Sequence, residues 1–175
     1  VARRIGIRHV VMRMDELGNP RLCANPPDRC YHCKSGRCQR LCALAEKLGL
    51  ATVADGSNAD DRADYRPGAR ALAEWNVARP LQECGLTKAE LRAASRRLGL
   101  PTADKPAAAC LATRIPYGTP LTAPALARIG AAEEALHALG FRSCRVREHG
   151  AMARIELPPA QIPAAVRRRA QIVRV

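Results

Sequence analysis

Apolar positions along the chain follow two rhythms, one repeating every second residue and one every three to four. "RHVVMRM" (8–14) alternates and predicts a short strand, followed by a loop rich in Asn, Pro and Asp, "DELGNPRLCANPPDR". Residues 30–48, "CYHCKSGRCQRLCALAEKL", carry helical periodicity despite Gly36, and Gly49 supplies a stop. "ATVADG" (51–56) predicts the next strand, which runs into "SNADDRADYRPG"; residues 69–75 suit a short helix and "VARPL" (77–81) a further strand. "TKAELRAASRRLGLP" has Thr87 as N-cap, Glu90 as its capping-box partner three residues on, and Gly99 with Pro101 as the stop. Strands alternating with helices predict an α/β layered fold. After Gly118 the texture changes: "TAPALARIGAAEEALHALG" is an amphipathic helix, "SCRVREHGAMARIEL" a hairpin turning at His149-Gly150, and "PAQIPAAVRRRA" a helix. The expected division is therefore a larger domain over 1–118 and a small α/β/β/α appendage over 119–175.

Composition narrows the chemistry. At 175 residues the chain suits one ordinary domain with a small appendage. Aromatic residues make up 3% of it, so the core is aliphatic, and a nucleic-acid module with bases stacked on rings is disfavoured. Lys and Arg number 29 against 16 Asp and Glu, an excess that suits an anionic partner such as a nucleotide or phosphorylated metabolite. Most of that charge is Arg, a planar fork for phosphate. No apolar run approaches the roughly 20 residues of a membrane-spanning helix. Eight cysteines with no preceding signal peptide point to a reducing cytoplasm, where clustered thiols mean metal, redox or nucleophile chemistry. The first residue is Val, and "VARRIGIRHVVMRM" opens as if in mid-fold.

Five stretches carry candidate chemistry, each with a plainer reading beside it. "CYHCK" sets Cys30 and Cys33 in a C-x-x-C pair near His32, Cys38, Cys42 and Cys23. A structural zinc site usually takes two such pairs, and no second pair exists. The pair plus one remote Cys would fill three corners of an iron–sulfur cluster; the alternative is helix packing. "DGSNADDRADYRPG" places Asp55, Asp60, Asp61 and Asp64 after a strand, suited to Mg²⁺ beside phosphates or to a solvated turn. Thr87 and Lys88 open a helix whose N-terminus attracts anions, or is only capped. Arg145 and Arg147 share one strand face, either to grip a phosphate or to keep that face in water; "RRR" at 167–169 reads as a solvated helix face. Finally, "KPAAACLATRIPYG" places Cys110 between Lys105 and Arg114, as a small core residue or as a nucleophile.

Taken in order, "NPPDRCYHCK", "VADGSNADDRADYRPG", "PLQECGLTKAELR", "LGLPTADKPAAACLATRIPYGTPLT" and "RVREHGAMARIEL" resemble the LarE family. These are ATP-dependent sacrificial sulfur transferases of nickel-pincer nucleotide biosynthesis, within the PP-loop ATP pyrophosphatases. The resemblance implies a Rossmann-like parallel sheet of the adenine nucleotide alpha hydrolase type with a small C-terminal α+β domain. It implies ATP and Mg²⁺, a pyridinium mononucleotide substrate and a homo-oligomer. By the same carry-over Cys110 is the sulfur donor with Arg114 beside it, and Asp55, Ser57, Asn58, Thr87 and Lys88 line the nucleotide side. Arg145 and Arg147 meet the substrate phosphate, and Glu133 takes a metal position. The chain departs from the family at two points: it has no Ser-Gly-Gly-x-Asp-Ser loop to cradle pyrophosphate, and Thr113 stands where Ser is usual. It thus resembles a member lacking roughly its first third, not expected to adenylate by itself. Two rivals remain, a sulfurtransferase of the same superfamily using a [4Fe-4S] cluster on Cys30, Cys33 and Cys110, and a zinc-binding basic module for nucleic acid.

Overall fold

The computed structural model describes residues 1–63, 66–105 and 109–174; Asp64 of the acidic loop lies outside the described residues. The chain forms two compact units, one from Val1–Glu16 with Pro27–Lys105 and one from Leu17–Pro26 with Pro106–Val175. Among the described residues no helix is long and apolar enough to cross a membrane.

In the first unit the long helix α1 (Arg29–Lys47) matches the periodic stretch read from the sequence, and Gly49 ends it at φ +66°, where a residue without Cβ is unstrained. Helix α2 (Gly68–Glu74) packs on it. A Cβ at Gly68 would lie 3.4 Å from the Cys30 carbonyl, so the glycine lets the two helices approach closely. Cys38, Leu72 and Val77 form the buried centre, with Val53 and Trp75 packed against it. The Trp75 indole N–H donates to Ser35 Oγ at 3.0 Å, and the Arg70 guanidinium lies 3.6 Å from the Tyr31 ring centre. Strand pairing in this unit is a parallel bridge, Ala54 to Ala78, closed by Asp55 N–H to Ala78 O at 2.8 Å and Ala78 N–H to Val53 O at 2.9 Å. The strand expected at 77–81 is cut short by Pro80, which cannot donate to a ladder and instead opens the helical turn Pro80–Glu83. Residues 8–14 join no ladder among the described residues, and Val11 is 77% exposed. Alternation marks out two faces, but a strand forms only against a neighbour that shares its N–H and C=O groups.

Helix α3 (Lys88–Arg97) starts where the capping box placed it. Thr87 N–H donates to Glu90 Oε2 at 2.8 Å, and Glu90 N–H returns to Thr87 Oγ1 at 3.3 Å. Thr87→Ala is therefore expected to cost about 1 kcal/mol of stability, read as a lower urea midpoint with an unchanged slope.

The second unit is built on helix α4 (Ala123–Ala138) and the antiparallel pair β1 (Arg145–His149) and β2 (Met152–Glu156). The register sets Arg145 opposite Glu156 and His149 opposite Met152, so the expected hairpin forms but turns at Gly150–Ala151 rather than His149-Gly150, with Gly150 at φ +61°. Leu136, Phe141, Cys144 and Val146 form its core. The loop Leu17–Pro26 belongs here because of Asn25, which is fully buried. Its side-chain amide donates to the carbonyls of Pro116 and Thr119, both at 2.8 Å, and its own carbonyl accepts from Gly118 N–H at 2.9 Å. The C-terminal helix is shorter than the periodicity suggested: α5 (Ile162–Arg167) stops at Arg168, before a further turn, Arg169–Ile172. Arg168 is no solvated charge, because its guanidinium donates to Leu139 O at 2.7 Å and sits 5.8 Å from the Phe141 ring centre.

Candidate functional site

In the first unit the Ala54 bridge delivers Asp55 to the start of the acidic loop, and the loop's polar groups bond mainly to one another. Asp55 Oδ1 accepts the Ser57 N–H at 2.9 Å and the Ser57 hydroxyl, while Oδ2 accepts Lys34 Nζ at 3.0 Å from α1. Burial alone raises the Asp55 pKa, but the Ser57 and Lys34 bonds and the lysine charge outweigh it and hold the carboxyl below its ordinary value. Asn58 caps the short turn Ala59–Arg62, its Oδ1 accepting Asp60 N–H at 3.0 Å and its N–H donating to Asp61 Oδ2 at 2.9 Å. Asp61 in turn pairs with Arg66 at 2.8 Å.

The N-terminus of α3 is already occupied by the chain itself. The Thr87 N–H and hydroxyl go to Glu90, and the Lys88 N–H goes to Asp60 Oδ2 at 3.0 Å. The cation left for a ligand is the exposed Lys88 ammonium, which makes no ion pair among the described residues. Lys34 was not singled out in the sequence. It lies one turn beyond Cys30, and its partner Asp55 is 21 residues away, so no local pattern announces it.

In the second unit Cys110 is exposed and caps the turn Leu111–Arg114. Its carbonyl oxygen accepts three donors: Thr113 N–H at 3.0 Å, the Thr113 hydroxyl at 2.7 Å and Arg114 Nη1 at 3.4 Å. Arg114 Nη1 also donates to the Thr113 hydroxyl at 2.8 Å and approaches Ala109 O at 3.4 Å. The rest of the guanidinium is buried against Glu133, Nε to Oε1 at 2.7 Å and Nη2 to Oε2 at 3.1 Å. Glu133 Oε1 takes a further bond from Val146 N–H at 3.0 Å. Burial raises the Glu133 pKa, but the Arg114 and Val146 bonds, with the charges of Arg114 and His137, outweigh it and hold the carboxyl below its ordinary value. The neighbouring Cys144 thiol is pushed up, first by burial and then by the Glu133 charge.

Arg145 and Arg147 do share a face of β1. Arg145 is exposed, whereas Arg147 is engaged on two sides, Nε donating to Glu156 Oε1 at 2.7 Å and Nη1 to Thr113 O at 2.9 Å. Arg154 shares the same Glu156 oxygen at 2.9 Å. The sequence reading missed Glu156, although the hairpin register fixed by the turn sets it diagonal to Arg147.

The expected metal positions gather little. Cys30 is exposed and Cys33 is half-buried, its thiol 3.6 Å from Glu16 Oε1. Cys38 belongs to the core, and burial pushes its thiol up. His32 faces Asp28 at 3.6 Å, and Glu133 faces a guanidinium. Among the described residues no group of three His, Cys, Asp or Glu side chains stands together to hold a metal ion.

No family model matches the chain. It is 48% identical over 161 residues to an uncharacterised protein of Synechocystis sp., a match covering 92% of this chain and 60% of the relative. It is 39% identical over 162 residues to the pyridinium-3,5-bisthiocarboxylic acid mononucleotide synthase of Lactiplantibacillus plantarum, covering 93% of this chain and 59% of that protein. It is 29% identical over 156 residues to an uncharacterised protein of Methanocaldococcus jannaschii, covering 89% and 59%. The chain thus spans about 60% of the length of the curated relatives it matches.

Proposed function

We propose that this chain is the thiol-bearing portion of a LarE-type sulfur transferase, which converts a carboxylate of a pyridinium mononucleotide to a thiocarboxylate using ATP and its own Cys110. The observation that carries the reading is the 39% identity, along 93% of the chain, to a synthase named for the bisthiocarboxylic acid mononucleotide. Cys110 supports it by being exposed on a turn whose backbone is held by a buried ion pair.

The reaction balances in three steps. ATP, bound with Mg²⁺ as substrate, gives AMP to the substrate carboxylate and releases pyrophosphate. The Cys110 thiol gives its proton to solvent, and the thiolate attacks the acyl carbon and expels AMP, leaving a thioester on the protein. Loss of the Cys110 Cα proton and cleavage of its Cβ–S bond leave dehydroalanine in the chain and carry the sulfur, with the bonding pair, away as thiocarboxylate. In this reading Lys34 and Lys88 supply positive charge on the nucleotide side, with Asp55, Ser57 and Asn58 shaping the loop. Exposed Arg145 meets the mononucleotide phosphate as a charged fork, and Arg147, held by Glu156 and the Thr113 carbonyl, adds its charge and its remaining N–H groups. The test is direct: full-length protein containing this chain, given ATP, Mg²⁺ and the carboxylated pyridinium mononucleotide, forms ATP-dependent thiocarboxylate, and absence of that product rejects the reading.

The arginine assignment has its own expected outcome. Arg147→Ala should weaken mononucleotide binding at least tenfold while leaving ATP binding within about twofold, because a charge-assisted bond is worth about 1.5–3 kcal/mol. Titration calorimetry with each ligand separately measures both; equal losses would remove Arg147 from the phosphate site.

A further inference from the structure

The Cys110 carbonyl oxygen accepts three hydrogen bonds, from Thr113 N–H at 3.0 Å, the Thr113 hydroxyl at 2.7 Å and Arg114 Nη1 at 3.4 Å. One such bond would suffice to close a turn. We propose that this cradle is an oxyanion hole for the sulfur donor itself: it stabilises the enolate that forms on the Cys110 carbonyl when the Cα proton leaves. The inference rests on the sulfur-transfer reading above and names the groups that drive its last step.

The electron count sets the demand. A general base supplied by solvent takes the Cα proton, and the C–H pair moves toward the Cys110 carbonyl, placing negative charge on its oxygen. Collapse of that enolate forms the Cα=Cβ bond and expels the sulfur with the Cβ–S pair. The Cα proton of a peptide is a very weak acid, so the barrier lies in creating the oxyanion, and donors already aimed at that oxygen lower it without reorganising. Arg114 brings a cation, and its own position is fixed from behind by the two bonds to Glu133. The Thr113 hydroxyl is the joint of the arrangement, accepting from Arg114 Nη1 at 2.8 Å while donating to the Cys110 oxygen. Among side chains of this size only Ser and Thr both accept and donate in that way. The Thr113 carbonyl is pinned as well, by Arg147 Nη1 at 2.9 Å. Thr113 is thus a catalytic residue in this account, and Glu133 a positioning residue acting through Arg114.

The test uses the 175-residue chain and needs no ATP. A bis-electrophile that converts cysteine into a cyclic sulfonium provides a leaving group on Cβ, and the subsequent loss of the Cα proton gives dehydroalanine. Peptide mass spectrometry follows this elimination at Cys110 and, as an internal control, at exposed Cys84. Thr113→Val is expected to slow elimination at Cys110 by about 10²-fold, the usual effect of removing one oxyanion donor, with Cys84 unaffected and Thr113→Ser recovering most of the rate. Equal elimination rates at Cys110 in wild type and Thr113→Val would overturn the proposal. In full-length protein with ATP, Mg²⁺ and substrate, Thr113→Val should accumulate a substrate thioester on Cys110, whereas release at the wild-type rate would overturn the cradle. A wild-type protein that makes thiocarboxylate with Cys110 unchanged would overturn the sulfur-transfer reading instead, and with it the cradle's role in that reaction.

Discussion

Cys110→Ala should abolish thiocarboxylate formation in the full-length protein while leaving its fold intact. The thiol is exposed and fills no part of either core, so its loss is expected to change stability by no more than about 0.5 kcal/mol. The chemistry has no substitute for it, because an alanine offers neither a nucleophile nor a sulfur atom. In the proposed reaction adenylation precedes the attack, so pyrophosphate release should persist in the variant. Replacing Cys84, Cys42 or Cys144 should leave product formation in place, with Cys144 acting only through packing as a buried core residue. Product from Cys110→Ala at the wild-type level would remove this thiol from the mechanism. Loss of product in Cys30→Ala and Cys33→Ala equal to that in Cys110→Ala would favour a cluster-bound sulfur.

Glu133→Ala should strongly destabilise the second unit. It would leave the Arg114 guanidinium, 5% exposed, without its carboxylate, and the Val146 N–H without its acceptor. Breaking a buried pair from one side costs about 3–5 kcal/mol, a large part of the roughly 5–15 kcal/mol that holds a domain folded. Urea unfolding measures this, and a cost near zero would show that the pair is not buried in solution. Acid reports on the same group. Because the folded carboxyl titrates below its ordinary 4.5, its contribution is fully present above that pH and is lost as pH falls through the folded value. Glu156 and Asp55 shift in the same direction, so stability should decline below about pH 4.5, and Glu133→Gln should flatten part of that decline.

The sequence rhythm carried the helices and the hairpin closely. The stretch 30–48 became Arg29–Lys47, the capping box opened α3 at Lys88, and the hairpin formed with its turn at Gly150–Ala151, one residue beyond the expected His149-Gly150. Each depends on neighbours within a few residues, where side-chain period and caps decide the outcome. What the rhythm could not carry were partnerships across long separations. Nothing near Asn25 indicates that its amide will hold carbonyls more than 90 residues away. Nothing near Glu133 names Arg114, 19 residues earlier, as its counter-ion. Asp60 filling the N-terminus of α3 is of the same kind: the helix start was legible, but the carboxylate that would occupy it was not. Cys110 stood out by its sequence setting. The significance of Thr113 emerged only when its hydroxyl was found between Arg114 and the Cys110 carbonyl.

The central claim is that Cys110 gives up its sulfur, and the mass of the protein before and after one turnover tests it most directly. Full-length protein incubated with ATP, Mg²⁺ and the carboxylated mononucleotide should become lighter by one H₂S, with the loss mapping to the peptide that contains "AAACLATR". Stoichiometric thiocarboxylate alongside an unchanged Cys110 would contradict the account.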